Sequence, residues 1–357
     1  MHAIRVALGA RSYNTYIGTG VLDGLATHLR CAKLGSKLTI ITNPTVFELH
    51  GFSLKNTLIN AGFEVNVLTV SDGEEYKSLE SAGELYDEMS AALTERNNTV
   101  LALGGGVIGD LAGFVAATYM RGVSLIHLPT TLLAQVDSSI GGKTAVNHGR
   151  FKNQIGVIYQ PRAVFSDTSV LKTLPDQHIS NGIAEIIKSA VIGDKVLFGM
   201  LARRMLELKG RNERLLEEVI RRATAVKARI VSRDEHDNGI RNTLNFGHTI
   251  GHAIESVTAF DVSHGAAVAM GMAAAGRIAA RMGLFAQRDL ENLISVIAGA
   301  GLPTSAASVN TADILKAIKH DKKAVSGLVK FILPVRIGKV VITNKVTLDM
   351  VAEVLSE

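Results

Sequence analysis

Apolar and polar residues alternate over residues 4–20, with glycines punctuating the stretch. A period of two interrupted by turn residues predicts a hairpin. A different rhythm follows. Short apolar runs at 38–42, 65–70, 99–103 and 124–128 are separated by stretches of helical spacing that extend to about residue 61, over about 78–95 and to about residue 119. A last short run lies near 163–166. Strand–helix alternation of this kind predicts a parallel sheet with helices on both faces. Beyond about residue 175 helical periodicity dominates, and Leu216, Val219, Ile220, Ala223 and Ile230 fall on one stripe. The expected fold is therefore α/β: an N-terminal Rossmann-like parallel-sheet domain over residues 1–176, followed by a mainly α-helical C-terminal domain over residues 177–357.

Composition narrows the class. A chain of 357 residues suits two domains, and 47% hydrophobic with 20% charged residues is a globular balance. The single cysteine, Cys31, excludes an internal disulfide and suits a reducing, cytoplasmic compartment. The opening Met-His-Ala-Ile-Arg-Val lacks the apolar run of a signal peptide. The small-residue stretch at 265–280 is mostly alanine and is interrupted by Arg277, so it is expected to be a buried helix and not a membrane span. A net charge of +5 and a pI of about 9.2 raise the question of nucleic acid. There is no Trp and no basic run interleaved with aromatics, so a small anionic substrate is the better match.

Three polar segments carry candidate chemistry. Gly104-Gly105-Gly106-Val107-Ile108-Gly109-Asp110 follows an apolar strand and opens a helix. Glycines there either let the backbone approach a pyrophosphate while the helix start presents N–H groups to it, or make a purely structural strand–helix turn; the spacing is not GxGxxG. Asp72-Gly73-Glu74-Glu75-Tyr76-Lys77, after the preceding strand, either binds ribose hydroxyls through carboxylates or is an ordinary solvated turn. Asp137-Ser138-Ser139-Ile140-Gly141-Gly142-Lys143-Thr144-Ala145-Val146-Asn147 resembles a P-loop ending, but Asp137 stands where that motif needs its first glycine, and no strand leads into it. Either its Lys143, with Lys152 and Asn153, holds a phosphate or carboxylate, or the stretch is a polar surface loop.

A fourth constellation lies beyond residue 176. His248 and His252 are four apart in Asn245-Phe246-Gly247-His248-Thr249-Ile250-Gly251-His252, and His264 follows. Helical histidines at this spacing hold zinc in some proteins and are incidental in others; the glutamate of a metalloprotease motif is absent. Glu185 is the candidate carboxylate ligand. It sits with Lys188, three residues on, in an otherwise apolar run, where a simple intrahelical ion pair is the alternative. Lys227 falls at the next step of the apolar stripe, so it either points inward or snorkels at the helix edge. Arg241 and Asn245, four apart, precede His248 and are able to donate to an anion.

Taken together these segments closely resemble the 3-dehydroquinate synthase family, a match that runs from Asp72 to about Lys323. It is carried by Pro129-Thr130-Thr131-Leu132-Leu133-Ala134-Gln135 running into 137–147, by 244–255, and by the order glycine loop, lysine loop, Glu-x-x-Lys, His-x-x-x-His, His. The resemblance implies an NAD- and metal-dependent lyase of the shikimate route. Such an enzyme converts 3-deoxy-arabino-heptulosonate 7-phosphate to 3-dehydroquinate and phosphate by transient oxidation with NAD, β-elimination, re-reduction and intramolecular aldol closure. It implies that Glu185, His248 and His264 hold zinc, or cobalt in its place, and that His252 transfers protons. NAD is implied to lie across Asn43, Asp72, Glu74, Lys77, Gly105, Gly106, Val107, Asp110, Thr130, Thr131, Lys143, Lys152 and Thr173. Catalytic roles fall on His252, Lys143, Asp137, Lys188, Lys227 and Asp237. Substrate contacts fall on Arg121, Lys152, Asn153, Arg241, Asn245 and Lys322, with Arg121 reaching the neighbouring subunit's site in a homodimer. Three positions depart from the family pattern: Phe151 replaces a usual Gly, Asp237 a Glu, and Ser189 an aromatic or His. The alternatives are a sister cyclase making an inosose or a valiolone, a metal-dependent polyol dehydrogenase of the same fold, and a non-catalytic binding protein. The intact 138–144 run and His252 oppose the first, the many phosphate-seeking lysines the second, and the full ligand set the third.

Overall fold

The computed structural model describes residues 1–149, 151–259, 261–307, 309–321 and 329–356, with 320 and 321 as backbone only. The chain forms two compact units, Met1–Pro175 with Leu216–Ser232, and Asp176–Leu215 with Arg233–Glu357.

In the first unit the strands are β1 (His2–Val6), β2 (Tyr13–Gly18), β3 (Lys37–Thr42), β4 (Glu64–Thr69), β5 (Thr99–Gly104), β6 (Ser124–Pro129), β7 (Lys143–His148), β8 (Phe151–Ile158) and β9 (Ala163–Asp167). Seven of them form one sheet in the order β1-β2-β9-β6-β5-β3-β4. All neighbours run parallel except the β1–β2 hairpin. β5 is buried throughout because both of its faces are covered. Val100 and Ala102 pack with Leu111 and Val115 of the helix Gly106–Thr118, while Leu101 and Leu103 pack with Leu25, Leu29, Leu54 and Leu58 on the opposite face. The strand order reverses between β3 and β5. Asn43 and Gly105 leave the carboxyl ends of those two strands, which is where open parallel sheets receive ligands.

Two features differ from the sequence expectation. The helix Glu213–Val231, which carries the apolar stripe, belongs from Leu216 onward with the sheet unit, where Ala228 and Val231 beside the stripe pack with Val6, Tyr13, Ile140 and Val164. Periodicity reveals that a helix has an apolar face but not which surface that face covers. The stretch 137–147 is not a loop. A π-helical turn, Ala134–Ser138, leads into β7, which pairs antiparallel with β8 as a hairpin. Thr144 and Val146 are buried while Lys143 is exposed and Ala145 only partly covered, so β7 keeps a strand's alternation as far as Val146, where the register shifts.

The second unit contains the helices Asp176–Gly193, Lys195–Lys209, His248–Val257, His264–Arg281, Gln287–Gly299, Thr311–Asp321 and Leu348–Leu355. It also holds a hairpin, β10 (Phe331–Arg336) with β11 (Lys339–Thr343), which helical periodicity did not suggest. The alanine-rich stretch is a buried helix, with Arg277 Nη1 donating to Thr304 O at 2.8 Å. Among the described residues no helix is long and apolar enough to cross a membrane.

Backbone-to-backbone contact sets the spacing of these helices. A Cβ on Gly271 would overlap the carbonyl of Gly247, whose own φ of 80° turns the chain into the helix that starts at His248. Gly271→Ala is therefore expected to force the two helices apart and to destabilise the protein by about 2–3 kcal/mol. An unchanged denaturation midpoint would contradict this.

Candidate active site

Three segments of the second unit meet at one carboxylate. Glu185 lies mid-helix in Asp176–Gly193 with no solvent exposure. Its Oε1 is 3.5 Å from His248 Nε2 and 3.3 Å from His264 Nε2, and Lys188 Nζ lies against Oε2. His248 and His264 are each the first residue of a helix, so the close approach of those helices brings both rings to Glu185.

The outer nitrogens are also held. His248 Nδ1 lies 3.1 Å from Phe246 O; donating there leaves the Nε2 lone pair facing Glu185. His264 Nδ1 lies 3.3 Å from Glu255 Oε2. Burial lowers the His248 pKa to about 3, overriding the pull of Glu185. For His264 burial acts in the same direction, but hydrogen bonds and charge from Glu185 and Glu255 prevail and raise it to about 10. Burial also works against ionisation of Glu185, yet Lys188, His248 and His264 hold it well below the ordinary carboxylate range. One carboxylate and two imidazoles, with ligand atoms all within 4.8 Å, form a donor set that fits zinc or cobalt. His252 stands apart from this trio. Its ring centroid is 5.1 Å from that of His248, and it groups with Glu255 and His264 on the more exposed side.

The loop before His248 is anchored by Asp234, which accepts from the backbone N–H groups of Asn238, Gly239 and Arg241. Asp237 within it has a left-handed φ of 61°. Arg241 is buried, with Nη1 donating to Glu235 O, and Asn245 ends the short 3-10 segment that follows. Lys322, expected at the substrate, lies outside the described residues.

The first unit assembles three further groups. At the carboxyl ends of β3 and β4, Asp72 accepts from Asn43 Nδ2 and, at 2.7 Å, from Thr45 Oγ1. Next, Lys77 Nζ bonds Asp110 Oδ2 at 2.7 Å, and Glu74 Oε1 is 3.9 Å from Lys77 Nζ and 4.0 Å from Lys152 Nζ. Burial raises the Asp110 pKa in spite of Lys77. Third, the buried Lys227 does point inward, its Nζ 2.6 Å from Asp137 Oδ1 and 2.7 Å from Asp137 O.

Gly105 caps the helix Gly106–Thr118 with no side-chain hydrogen bond, and a Cβ there would meet Thr131 Cγ2 at 3.0 Å. The first-turn N–H groups around Gly106 and Val107 thus lie beside Thr131, with Thr130 buried next to it. Thr173 bonds Val170 O and lies 3.0 Å from His50 Nε2. Lys143 and Asn153 are exposed on β7 and β8, and Arg121 is exposed with φ 67°.

Sequence reasoning did not single out Thr45, Asn147, Asp234 or Glu255 individually. Asp234, a short acidic residue shortly before Asn238-Gly239, carried a turn signal. Glu255, three residues after His252, carried a helical-face signal.

The comparisons with known proteins are concordant. Residues 67–181 match the family model for the N-terminal part of 3-dehydroquinate synthase, and residues 182–324 the model for its C-terminal part. The chain is 48% identical to the 3-dehydroquinate synthase of Dehalococcoides mccartyi strain BAV1, covering 100% of this chain and 99% of that protein. It is 46% identical to that of Rippkaea orientalis, covering 99% and 97%. Among solved structures, 2-epi-5-epi-valiolone synthase from Streptomyces hygroscopicus with NAD+ and Zn2+ bound superposes with a TM-score of 0.89 at 28% identity, covering 98% and 97%. A 2-deoxy-scyllo-inosose synthase with carbaglucose-6-phosphate, NAD+ and Co2+ gives 0.90 at 28%, covering 99% of each chain.

Two outcomes follow from the Glu185 cluster. Glu185→Ala should weaken zinc binding at least about 100-fold, with Glu185→Gln as the shape-preserving companion. A full equivalent of zinc retained by Glu185→Ala after gel filtration would refute the assignment. Near neutral pH only His264 among the three carries a proton that an ion must displace, because Glu185 is already ionised and His248 already neutral. Zinc binding should release about one proton, and the apparent affinity should rise about tenfold per pH unit up to a pH of about 10. Calorimetry in buffers of different ionisation enthalpy tests this, and binding with no proton release would contradict it.

Proposed function

The chain belongs to the 3-dehydroquinate synthase family, and on that premise we propose that it converts 3-deoxy-arabino-heptulosonate 7-phosphate to 3-dehydroquinate and phosphate. The observation that carries the reading is the convergence of Glu185, His248 and His264, distant in sequence, on one small volume. These three residues hold a divalent ion, zinc or cobalt. The residues at the β3, β4 and β5 ends, from Asn43 and Asp72 to Gly105, Thr130 and Thr131, hold NAD. When bound, NAD supplies a reversible hydride acceptor and the ion supplies Lewis acidity.

The remaining steps fall to groups of the chain. Lys152 and Asn153 of the first unit offer the substrate's phosphate a point charge and an amide donor; in the second unit Arg241 and Asn245 offer an anionic group a guanidinium and an amide. Lys188 keeps Glu185 ionised and presents a cation at the same place. Asp137 fixes the Lys227 ammonium, so that it meets developing negative charge without reorganising. His252, on the more exposed side of the cluster, carries protons to and from substrate oxygens. Holding both ends of the opened chain removes much of the entropic barrier to the carbon–carbon closure. The family departure at Asp237 leaves a carboxylate in place, one methylene shorter. The working assembly is a cytoplasmic homodimer in which the exposed Arg121 reaches the second copy's active site. What supports the reach of Arg121 is that it and Met120 are both exposed, at the turn that follows the helix Gly106–Thr118.

The test is incubation with the heptulosonate phosphate and catalytic NAD. Phosphate release should match carbocycle formation, with no accumulation of NADH, and a chelator should abolish turnover until Zn2+ or Co2+ is restored. Net NADH production from a polyol would indicate a dehydrogenase instead. An inosose or valiolone product from another sugar phosphate would indicate a sister cyclase.

A further inference from the structure

Asn147 makes four polar contacts, and each goes to a segment with a proposed ligand. Its backbone N–H donates to Lys77 O at 2.7 Å. Its Nδ2 donates to Glu74 O at 3.2 Å and to Glu74 Oε1 at 3.0 Å. Its Oδ1 accepts from Asn153 N at 3.0 Å. The β7–β8 register shifts between Val146 and His148, so Asn147 occupies an irregularity in the ladder. That irregularity frees its N–H from the hairpin and re-aims its side chain. Opposite it, Asn153 adopts a left-handed φ of 54°, a conformation that asparagine tolerates better than other residues with a Cβ. The bond from Asn153 N to Asn147 holds that conformation. The adjacent Lys152 is thereby placed 4.0 Å from the carboxylate that Asn147 also binds.

We infer that Asn147 is a positioning residue that locks the 74–77 turn and the Lys152-Asn153 pair into one register, so that the NAD and phosphate subsites are built by a single side chain. The chemistry requires an amide: one oxygen to accept a backbone N–H, and one NH2 to donate to both a carbonyl and a carboxylate. An aspartate at 147 would set a second carboxylate against Glu74 and lose both donated bonds. The inference deepens the reading above, on which it relies for the identity of the ligands.

The test uses the full-length, metal-loaded enzyme as wild type, Asn147→Ala, Asn147→Asp, Glu74→Gln and the Asn147→Asp/Glu74→Gln pair. Dissociation constants for NAD and for inorganic phosphate are measured by calorimetry, with KM and kcat alongside. Asn147→Asp should weaken both ligands by about tenfold in the wild-type background but by only about threefold in the Glu74→Gln background, because the carboxylate repulsion is gone while the bond to Glu74 O stays lost. Asn147→Ala should be intermediate, and KM should rise by more than kcat falls. An equal penalty in both backgrounds, or a loss confined to one ligand, overturns the inference. So does wild-type binding of both ligands by Asn147→Ala, which also covers the case in which the aspartate variant does not fold. A wild-type enzyme that binds NAD and phosphate but leaves the heptulosonate phosphate unchanged would sink the functional reading and leave this one standing.

Discussion

A fully buried carboxylate, Glu185, organises the second unit. Removing an ionised group from water is expensive unless its charge is balanced at close range. Here the balance comes from Lys188 one turn along the same helix and from the protonated His264 at the start of another, with the neutral His248 alongside. Each cationic or ligating group is in turn fixed by a neighbour: His248 by the Phe246 carbonyl, His264 by Glu255. The glycine contact between Gly247 and Gly271 serves the same end, because it sets how closely those helices approach. Exchanging the His264 proton for a divalent ion increases the positive charge of the cluster, which suits an anionic sugar acid.

The first unit follows the same rule with different parts. Its cations are not left to wander: Lys77 is tied to Asp110, Lys227 to Asp137, and Lys152 lies by Glu74. Charges held in this way stabilise an incoming or developing anion without paying to reorient. The supporting framework is a switch in strand order, which places Asn43 and Gly105 side by side at the carboxyl edge of the sheet. The β7–β8 hairpin then brings Lys143, Lys152 and Asn153 into the same unit.

The departures from the family pattern are local. Ser189 is buried beside Lys188, and Asp237 sits in a loop whose shape is set by Asp234. Phe151 pairs with His148 at the closed end of the hairpin and is half-exposed; nothing in the structure explains its replacing glycine.

Short-range order was legible in the sequence. The apolar runs of β3, β5 and β6, the glycine turn after β5 and the helical spacing of His248 and His252 each depend on neighbours a few residues away, and periodicity reports such neighbours directly. For Lys227 periodicity left two directions open, and the bond to Asp137 decided the inward one. Tertiary structure decided what periodicity cannot encode. It assigned the stripe on Glu213–Val231 to the sheet unit, made a hairpin of a stretch that reads as a polar loop, and chose His264 over His252 as the partner of Glu185. It also turned Asn147 from one polar residue among many into a junction of two loops. The physical reason is common to all four. A side chain's partner across tens of residues is selected by the packing of whole elements, and that packing is a property of surfaces meeting in three dimensions, not of intervals along the chain.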